Sequence, residues 1–391
     1  MPEAYIVSAR RTAGGRRNGR LAGIHPADLG AYVIDAILAE TGVDPAAIDD
    51  VIIGCVSQIG EQTFALGRNV VLASSLPDSV PAVTIDRQCG SSQQALHFAA
   101  QAVMSGTQDL VIAGGVESMS RVPMGTPVTL AANAGIGEGP FAKSIQQRYG
   151  VESFSQFVGA QMIADKHGFS RSDMDGFALA SHRKAAAATE AGAFDAEIVP
   201  IAVTGPDGTD FVHDRDEGVR GDATLEGIGS VKTLTPDGSL SAATASQICD
   251  GSSGVLVASA AAVKAHGLTP LARVHNLTVT AGDPVIMLEE PIPATRRALQ
   301  RAGLSIDDID LFEVNEAFAS VPMAWLKETG ADPARLNVNG GAIALGHPLG
   351  GTGTKLMATL IHALHARGGR YGLQTMCEGG GIANVTIVER L

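Results

Sequence analysis

Residues 89–117 read CGSSQQALHFAAQAVMSGTQDLVIAGGVE, in which an Ala-rich helical pattern leads into an apolar strand. Residues 346–381 repeat this order as GHPLGGTGTKLMATLIHALHARGGRYGLQTMCEGGG. A residue with a reactive side chain lies beside glycine where each helical pattern begins: Cys89 in the first copy and His347 in the second. Strands that alternate with amphipathic helices are typical of a mostly parallel sheet covered by helices. The chain therefore predicts two related α/β halves.

The repeat continues into the sequence that precedes each copy. Residues 29–42, LGAYVIDAILAETG, form a helical pattern that ends in Gly and leads on to the strand VIIGC. Residues 292–303, IPATRRALQRAG, end in Gly in the same way and lead on to LFEVNEA. The landmarks keep their order at an offset of about 260 residues, as an internal duplication requires. We expect a site between the halves, where helix N-termini and strand ends converge.

Composition excludes several classes of protein. Apolar residues make up 45% of the chain and charged residues 18%, as in globular proteins, so the chain is not disordered. With 28 basic and 41 acidic residues the net charge is −13, which argues against sequence-independent binding to nucleic acid or anionic lipid. The negative net charge does not exclude a phosphate-bearing ligand that is bound by a few local basic side chains. GGTGTK, at 350–355, fails the phosphate-loop pattern because Leu follows the lysine.

The cysteines and the apolar runs indicate where the protein works. The four cysteines include no CxxC pair, so the sequence predicts neither a zinc site nor a disulfide framework. No apolar run approaches the ~18 residues of a membrane span, and the N-terminus lacks the pattern of a secretory signal. The first strand is expected at 4–8, interrupted by Arg10 and Arg11. We expect a cytoplasmic protein.

Residues 118–246 belong to neither copy of the repeat. They begin with a turn-rich segment, continue with two helical patterns and close with a region rich in Gly and Asp. Insertions on α/β scaffolds commonly cover the substrate. We therefore expect an N-terminal half of residues 1–117 plus 247–268, an inserted loop domain of residues 118–246, and a C-terminal half of residues 269–391.

Three residues in the two halves are candidates for a catalytic role because of their positions. Cys89 lies at a helix N-terminus, where the helix dipole and free N–H groups favour a thiolate. His347, between Gly and Pro, is not expected to be there for helix packing and is a candidate functional residue. Cys377 ends a strand and runs into three glycines, beginning with Gly379, whose bare N–H groups suit an oxyanion. A structural role remains the alternative for each.

Four motifs together resemble the thiolase superfamily, specifically the acetyl-CoA acyltransferases. They are RQCGSS around Cys89, NEAFA at 315–319, NVNGGAIALGHPLG at 337–350 and CEGGG at 377–381. The resemblance spans essentially the whole chain and implies a duplicated, five-layered αβαβα fold with an inserted loop domain. Ketoacyl synthases share this fold but lack this combination of motifs.

The resemblance also implies a role for each motif residue. Cys89 is the nucleophile that takes an acyl group from a thioester, and His347 removes its proton. Cys377 is the acid and base at the α-carbon of acetyl-CoA. Asn315 holds a water that forms one oxyanion hole with His347, and the N–H groups of Cys89 and Gly379 form the other. No metal or prosthetic group is implied, because coenzyme A is a substrate.

The resemblance further predicts how coenzyme A binds and how the chain assembles. Thiolases pair through the strand next to the nucleophile-bearing helix, and residues 109–115, DLVIAGG, are expected to extend a sheet across that interface. A homodimer follows, or a homotetramer if the loop at 118–140 adds contacts. The positions that correspond to coenzyme A contacts are Arg220, Ala242, Ser246 and Phe318.

Several residues depart from the family pattern. Asp86 stands where Asn is common, Ser92 where relatives carry Gly, and Glu378 where short-chain enzymes tend to have Ile. Phe157 and Val158 replace a His-Met pair that narrows the acyl pocket of acetoacetyl-CoA enzymes. We therefore predict that 3-ketoacyl-CoA with medium or bulky chains is cleaved at least as well as acetoacetyl-CoA; the alternative is that Phe157 fills the pocket.

The sequence thus predicts a thiolase of lipid metabolism, such as fatty acid β-oxidation. It cleaves 3-ketoacyl-CoA with coenzyme A, or runs the reverse Claisen condensation, by ping-pong through acyl-Cys89. One alternative is a condensing enzyme of the ketoacyl-synthase type, which Cys377 and NEAFA disfavour. The other is a non-catalytic protein that binds acyl-CoA or lipid on the same scaffold, which the four intact site residues disfavour.

Overall fold

The computed structural model describes residues 2–204 and 208–391. Across these residues the strands are β1 (Ala4–Thr12), β2 (Gly15–Arg16), β3 (Asp50–Gly54), β4 (Ala82–Ile85), β5 (Leu110–Ser118), β6 (Ile198–Val199), β7 (Ile201–Thr204), β8 (Asp210–His213), β9 (Cys249–Ser259), β10 (Ala272–Ala281), β11 (Leu311–Val314), β12 (Tyr371–Glu378) and β13 (Ile382–Arg390). The α-helices are α1 (Pro26–Thr41), α2 (Leu66–Ala73), α3 (Ser91–Ser105), α4 (Thr126–Asn133), α5 (Lys143–Tyr149), α6 (Gln156–His167), α7 (Arg171–Glu190), α8 (Leu225–Gly229), α9 (Ala260–Ala265), α10 (Pro291–Ala302), α11 (Ser320–Thr329), α12 (Ala342–Leu345) and α13 (Thr352–Arg367).

The strand order confirms the duplication. In the N-terminal half the order is β4-β3-β5-β9-β1, and in the C-terminal half it is β11-β12-β13-β10. Strands β3, β5, β9 and β1 therefore correspond in order to β11, β12, β13 and β10. The halves join where β1 pairs antiparallel with β10, at Tyr5 with Arg273 and at Ile6 with Ala272.

Helices and sheets alternate in five layers. Helices α1 and α2 cover the N-terminal sheet and α10 covers the C-terminal sheet, while α3 and α13 contact each other and strands of both halves. The two central helices bury most of their side chains, including polar ones such as Gln93 and Thr354, because they are covered on both sides. Gly353 permits their close approach, because a Cβ there would overlap the backbone of Gln93. The central pair therefore brings Cys89 and His347, which precede these helices, to the same region.

The first strand is longer than the sequence predicts. β1 runs to Thr12, through both arginines. Arg11 is fully buried, and its guanidinium donates to Glu197 at 2.6 Å and to both carboxylate oxygens of Asp216 at 2.8 and 3.0 Å. A buried charge is stable only when it is paired and hydrogen-bonded. The expected interruption is wrong because the partners of Arg11 lie far away in the sequence.

The segment between β5 and β9 is more regular than expected at its start. Within the turn-rich part the structure forms α4, and further on β7 and β8 pair as an antiparallel hairpin. Residues 205–207 of the Gly- and Asp-rich region lie outside the described residues. The segment is tied to the main sheet, because β6 pairs in parallel with the end of β1. The division into three domains stays a prediction.

The strand expected at the edge of the sheet lies inside it. β5, which contains most of DLVIAGG, pairs with β9 on one side and with β3 on the other, and all its residues are buried. It cannot extend a sheet across an interface, so that prediction is wrong. The edge strand of this half is β4, which leads directly into Cys89.

Candidate active site

A cavity of about 850 Å³ opens above Cys89. Cys89, Gly379 and Gly380 line one side, so the nucleophile candidate and the glycines after the second cysteine face the same space. Most of the remaining wall is apolar and comes from the inserted segment. Its apolar side chains are Met124, Pro127, Val128, Ala132, Phe141 and Phe154, with Val56, Met287 and Leu349 from the two halves.

A strained turn presents Cys89 to this cavity. Gln88 has a φ of 49°, which is uncommon for a residue with a side chain. Asp86 Oδ1 accepts the N–H of Gln88 at 2.6 Å, and the Ser91 hydroxyl donates to the Gln88 carbonyl at 2.6 Å. The acceptor at Asp86 would serve equally in the Asn of relatives, so this departure preserves the turn. Backbone strain of this kind concentrates at functional sites.

The surroundings of Cys89 oppose its ionisation. Burial, and then the nearby carboxyl of Glu378, raise the pKa of Cys89 to about 12. The helix N-terminus was expected to favour a thiolate, but removing the thiol from water outweighs that effect here. Cys89 is therefore a thiol at neutral pH, and attack on a thioester requires a base to take its proton.

His347 has the form that such a base needs. Its Nδ1 lies 2.6 Å from the hydroxyl oxygen of Thr352, and that hydroxyl donates to the carbonyl of Pro348 at 2.8 Å. Because the single hydroxyl proton is used, Nδ1 carries the ring proton and Nε2 has a free lone pair. Nε2 is buried and makes no hydrogen bond with the described residues, including Cys89. Burial, and then the charge of Lys355, lower the pKa of His347 to about 3, so the ring is neutral.

Lys355 supports the loop that carries His347. Its ammonium is buried and donates to the carbonyls of Leu345 and Gly346 at 2.5 and 3.2 Å. It also lies 3.7 Å from Asp216, the carboxylate that holds Arg11. The lysine of GGTGTK thus binds carbonyls left free at the end of α12.

Cys377 and Asn315 are both buried close to these groups. Burial, and then the charge of Cys89, raise the pKa of Cys377 well above its ordinary value, so the two thiols are near enough to affect each other. Asn315 follows β11, and neither polar atom of its side chain has a partner among the described residues. Since buried amides are rarely unpaired, this side chain is free to bind a ligand or a water.

The structure brings together three of the four residues predicted to contact coenzyme A. Ala242 opens a short 3-10 helix, Ser246 N–H donates to the carbonyl of Ala317 at 2.9 Å, and Ala245 forms a β-bridge with Phe318. Arg220 is exposed and forms no ion pair with the described residues. None of the four lines the cavity above Cys89.

Phe157 and Val158 do not line the cavity either. The Phe157 ring meets Phe318 edge-on with centroids 5.6 Å apart, and Val158 is 50% exposed. The pair therefore does not form the wall of the cavity above Cys89. The wall comes instead from the segment around α4, for which the sequence predicted only turns.

Glu117 is a site residue that the sequence analysis missed. Its buried carboxylate accepts the N–H groups of Val56 and Ser57, both at 2.9 Å, and that of Gly350 at 2.8 Å. The first two residues line the cavity, and the third lies in the loop after His347. One carboxylate thus fixes loops from both halves. An acidic residue that ends the apolar strand DLVIAGGVE was the available signal.

Comparison with known proteins agrees with this arrangement. Residues 4–261 match the model of the thiolase N-terminal domain, and residues 268–390 match that of the thiolase C-terminal domain. The chain belongs to the thiolase family. Thiolases are acyltransferases, so both the predicted enzyme class and the five-layered fold are confirmed.

Individual relatives match along nearly their whole length. The steroid 3-ketoacyl-CoA thiolase FadA6 of Mycobacterium tuberculosis is 54% identical, covering 100% of this chain and 95% of the relative. An acetyl-CoA acetyltransferase of Pseudomonas aeruginosa is 42% identical over 97% of this chain and 98% of its own. The crystal structure of human mitochondrial 3-ketoacyl-CoA thiolase superposes with a TM-score of 0.89 at 36% identity, covering 100% and 99% of the two chains.

Two further searches of the described residues gave negative results. None of the helices in residues 2–204 and 208–391 combines the length and apolarity that crossing a membrane requires. The same residues contain no group of three or more His, Cys, Asp or Glu side chains arranged to hold a metal ion.

Proposed function

We propose that this thiolase cleaves 3-ketoacyl-CoA with coenzyme A, and runs the reverse condensation, through an acyl group carried on Cys89. The observation that supports this most strongly is the arrangement around one apolar cavity: a strained nucleophile turn, two glycines on the same side of the cavity, and a neutral buried imidazole on the loop that contributes Leu349 to the wall. Coenzyme A is the second substrate, and the proposal requires no metal or prosthetic group.

In the first half-reaction Cys89 Sγ attacks the 3-keto carbon. His347 Nε2 accepts the thiol proton, and the bond between C2 and C3 of the substrate then breaks. The electron pair passes to the α-carbon of the departing acetyl-CoA, which takes the Cys377 proton. The N–H groups of Cys89 and Gly379 stabilise the oxyanion at the attacked carbon. Asn315, whose amide has no internal partner, holds a water that, with His347, stabilises the enolate oxygen.

In the second half-reaction the thiol of coenzyme A attacks acyl-Cys89. Its proton goes to the Cys377 thiolate, and the imidazolium of His347 returns a proton to the Cys89 sulfur as acyl-CoA leaves. Both cysteines and the histidine recover their starting forms. Arg220, which is exposed and forms no ion pair with the described residues, meets a phosphate of coenzyme A. The segment containing Ala242 and Ser246 borders the pantetheine arm together with Phe318.

The size of the cavity predicts a broad acyl specificity. A space of about 850 Å³ with apolar walls far exceeds an acetyl group. Burial of chain against such walls contributes ~25 cal/mol per Å², and each methylene improves discrimination by at most ~1–3 kcal/mol. We expect kcat/KM for thiolysis of 3-ketohexanoyl- and 3-ketodecanoyl-CoA to equal or exceed that for acetoacetyl-CoA. Steady-state release of acetyl-CoA from each substrate measures this.

Two variants separate the cavity from the position that the sequence suggested. Ala132→Phe adds a ring to the cavity wall and should lower kcat/KM for the longest substrate more than for acetoacetyl-CoA. Val158→Met, outside the cavity, should leave the order of substrates unchanged. A steep fall in kcat/KM from acetoacetyl- to 3-ketohexanoyl-CoA in the wild type would refute the wide pocket, and no thiolysis of any substrate would refute the proposed function.

We also propose that the protein is at least a homodimer, paired through β4. This edge strand has no partner on its outer side within the described residues, and its Val83 is 44% exposed. Phe64, just before α2, and Phe98, on α3, are also exposed. Helix α2 packs against β4, and α3 packs against its neighbour β3. An unprotected edge with apolar neighbours is suited to pairing with another strand. The exposed α4 region supplies the contacts that a tetramer needs.

Sedimentation at micromolar concentration tests this assembly. We expect the wild type to sediment as a dimer or tetramer and Val83→Asp to shift towards monomer, because a carboxylate on the paired edge must lose water. Val212→Asp places the same change on the exposed hairpin strand β8 and should not alter the mass. A monomeric wild type contradicts the proposal.

A cytoplasmic location is part of the same proposal. All four cysteines are free in the structure, which suits a reducing compartment. Acyl-CoA thioesters are the small-molecule partners, and neither nucleic acid nor a membrane is needed for the reaction.

A further inference from the structure

Glu378 is a buried carboxyl group next to both catalytic cysteines in the fold. It directly follows Cys377 at the end of β12, and its carboxyl touches the turn that carries Cys89. The contact is so close that a Cβ at Gly90 would overlap Glu378 Oε1. The side-chain amide of Asn384 donates to the same oxygen at 2.9 Å. One carboxyl group therefore bridges the turn before α3 and the end of β12.

The second carboxyl oxygen has no such support. Glu378 Oε2 is buried and makes no hydrogen bond with the described residues. A buried carboxylate with one oxygen unpaired is strongly disfavoured, whereas a neutral carboxylic acid is tolerated. Burial accordingly raises the pKa of Glu378 well above its ordinary value. Burial thus shifts the equilibrium towards the neutral acid.

The charge of Glu378 matters to both thiols. After burial, the Glu378 charge is the largest influence that raises the pKa of Cys89, and it also raises the pKa of Cys377. Like charges in a site of low dielectric repel strongly, so a carboxylate at this position and a thiolate beside it exclude each other.

We propose that Glu378 is a positioning residue shared by the two catalytic cysteines. As a neutral acid it holds the Cys89 turn against the end of β12, and as a carboxylate it suppresses the thiolate of both cysteines. The inference rests on the proposed role of Cys89 as nucleophile. It goes beyond that role because it assigns a delayed rise of thiol reactivity with pH to a residue that does not line the cavity.

Other charged groups near Glu378 and Cys89 also influence the ionisation of these two residues. Arg87, on the Cys89 turn, favours the carboxylate of Glu378, while Asp86 on that turn disfavours it. Glu117 on β5 adds to the negative field at Cys89. These groups are unchanged in a Glu378 variant, so a difference from the wild type reports on Glu378 itself.

The test is the rate at which iodoacetamide alkylates Cys89 across a pH series, measured by mass spectrometry of its peptide. The alkylation rate reports on thiolate formation at Cys89 and does not require thiolase turnover. The inference about Glu378 can therefore be disproved while the proposed function stands. Glu378→Gln keeps the shape of the side chain and cannot ionise. We expect equal rates at low pH, where wild-type Glu378 is neutral. The variant should become at least about tenfold faster as pH rises, since one pKa unit changes the thiolate fraction tenfold.

The matched control is Glu313→Gln, the same change at a buried carboxyl with an unpaired oxygen on β11. Its alkylation profile should follow the wild type. Glu378→Met must shift the profile in the same direction as Glu378→Gln and replaces it if the amide variant does not fold. The proposal is overturned if the ratio of the Cys89 alkylation rates of Glu378→Gln and wild type is constant across pH. It is also overturned if the wild-type rate rises with pH in a single step without a lag.

Discussion

Cys89→Ala is expected to lower kcat for thiolysis by at least ~10⁴-fold, because removing a nucleophile removes the covalent pathway and leaves only binding and the oxyanion hole. The loss should not come from unfolding. The substitution deletes one sulfur at a turn held by Asp86 and Ser91, so the free energy of unfolding should change by about 1 kcal/mol or less. Thermal unfolding and steady-state kinetics measure the two effects separately.

Mass spectrometry identifies the acylated residue directly. Brief incubation of the wild type with acetyl-CoA should add one acetyl group to the peptide containing Cys89, and Cys89→Ala should take up none. Cys55→Ala is the matched control, since it removes another buried thiol that does not line the cavity. An acetyl group on Cys377 in the wild type would reverse the roles proposed for the two cysteines.

The duplicated architecture could be predicted because its signals are local. The helical patterns at 29–42 and 292–303 end at glycines that adopt φ values of 64° and 69°, a conformation that favours glycine. The helices that begin after Cys89 and His347 are rich in Ala and Leu, so their sequences identify them as helices. These patterns depend on residues that are close together in the sequence, so they can be recognised from the sequence alone.

The errors arose where distant parts of the chain meet. The partners of Arg11 are 186 and 205 residues away, so its burial inside β1 could not be read from the sequence around it. The apolar run of β5 looks the same whether a strand is central or at an edge, because only pairing distinguishes the two. The cavity wall depends on how the segment containing α4 packs over Cys89, which no local pattern specifies.

Cys377→Ser is expected to lower the exchange of the α-protons of acetyl-CoA in deuterated water by ~10²–10⁴-fold, the range in which a single general acid or base contributes. A serine hydroxyl keeps the size and hydrogen-bonding capacity of the thiol, but it ionises far less readily. The buried site already raises the pKa of the native thiol. Serine is a still weaker acid, so even less of the deprotonated form that accepts the α-proton is present. Proton NMR of acetyl-CoA follows the exchange.

The two cysteine variants should fail in opposite assays. Cys377→Ser retains Cys89 and His347, so it should still form some acetyl-enzyme. His347 can take the Cys89 proton, and coenzyme A then leaves as a thiolate without a proton from Cys377. Cys89→Ala should form no acetyl-enzyme, yet it should still exchange α-protons, because the enolate is made at Cys377 without a covalent bond. If both variants remain folded and lose acylation equally, the second thiol is needed for attack by the first, and the proposed separation of nucleophile from acid and base is incorrect.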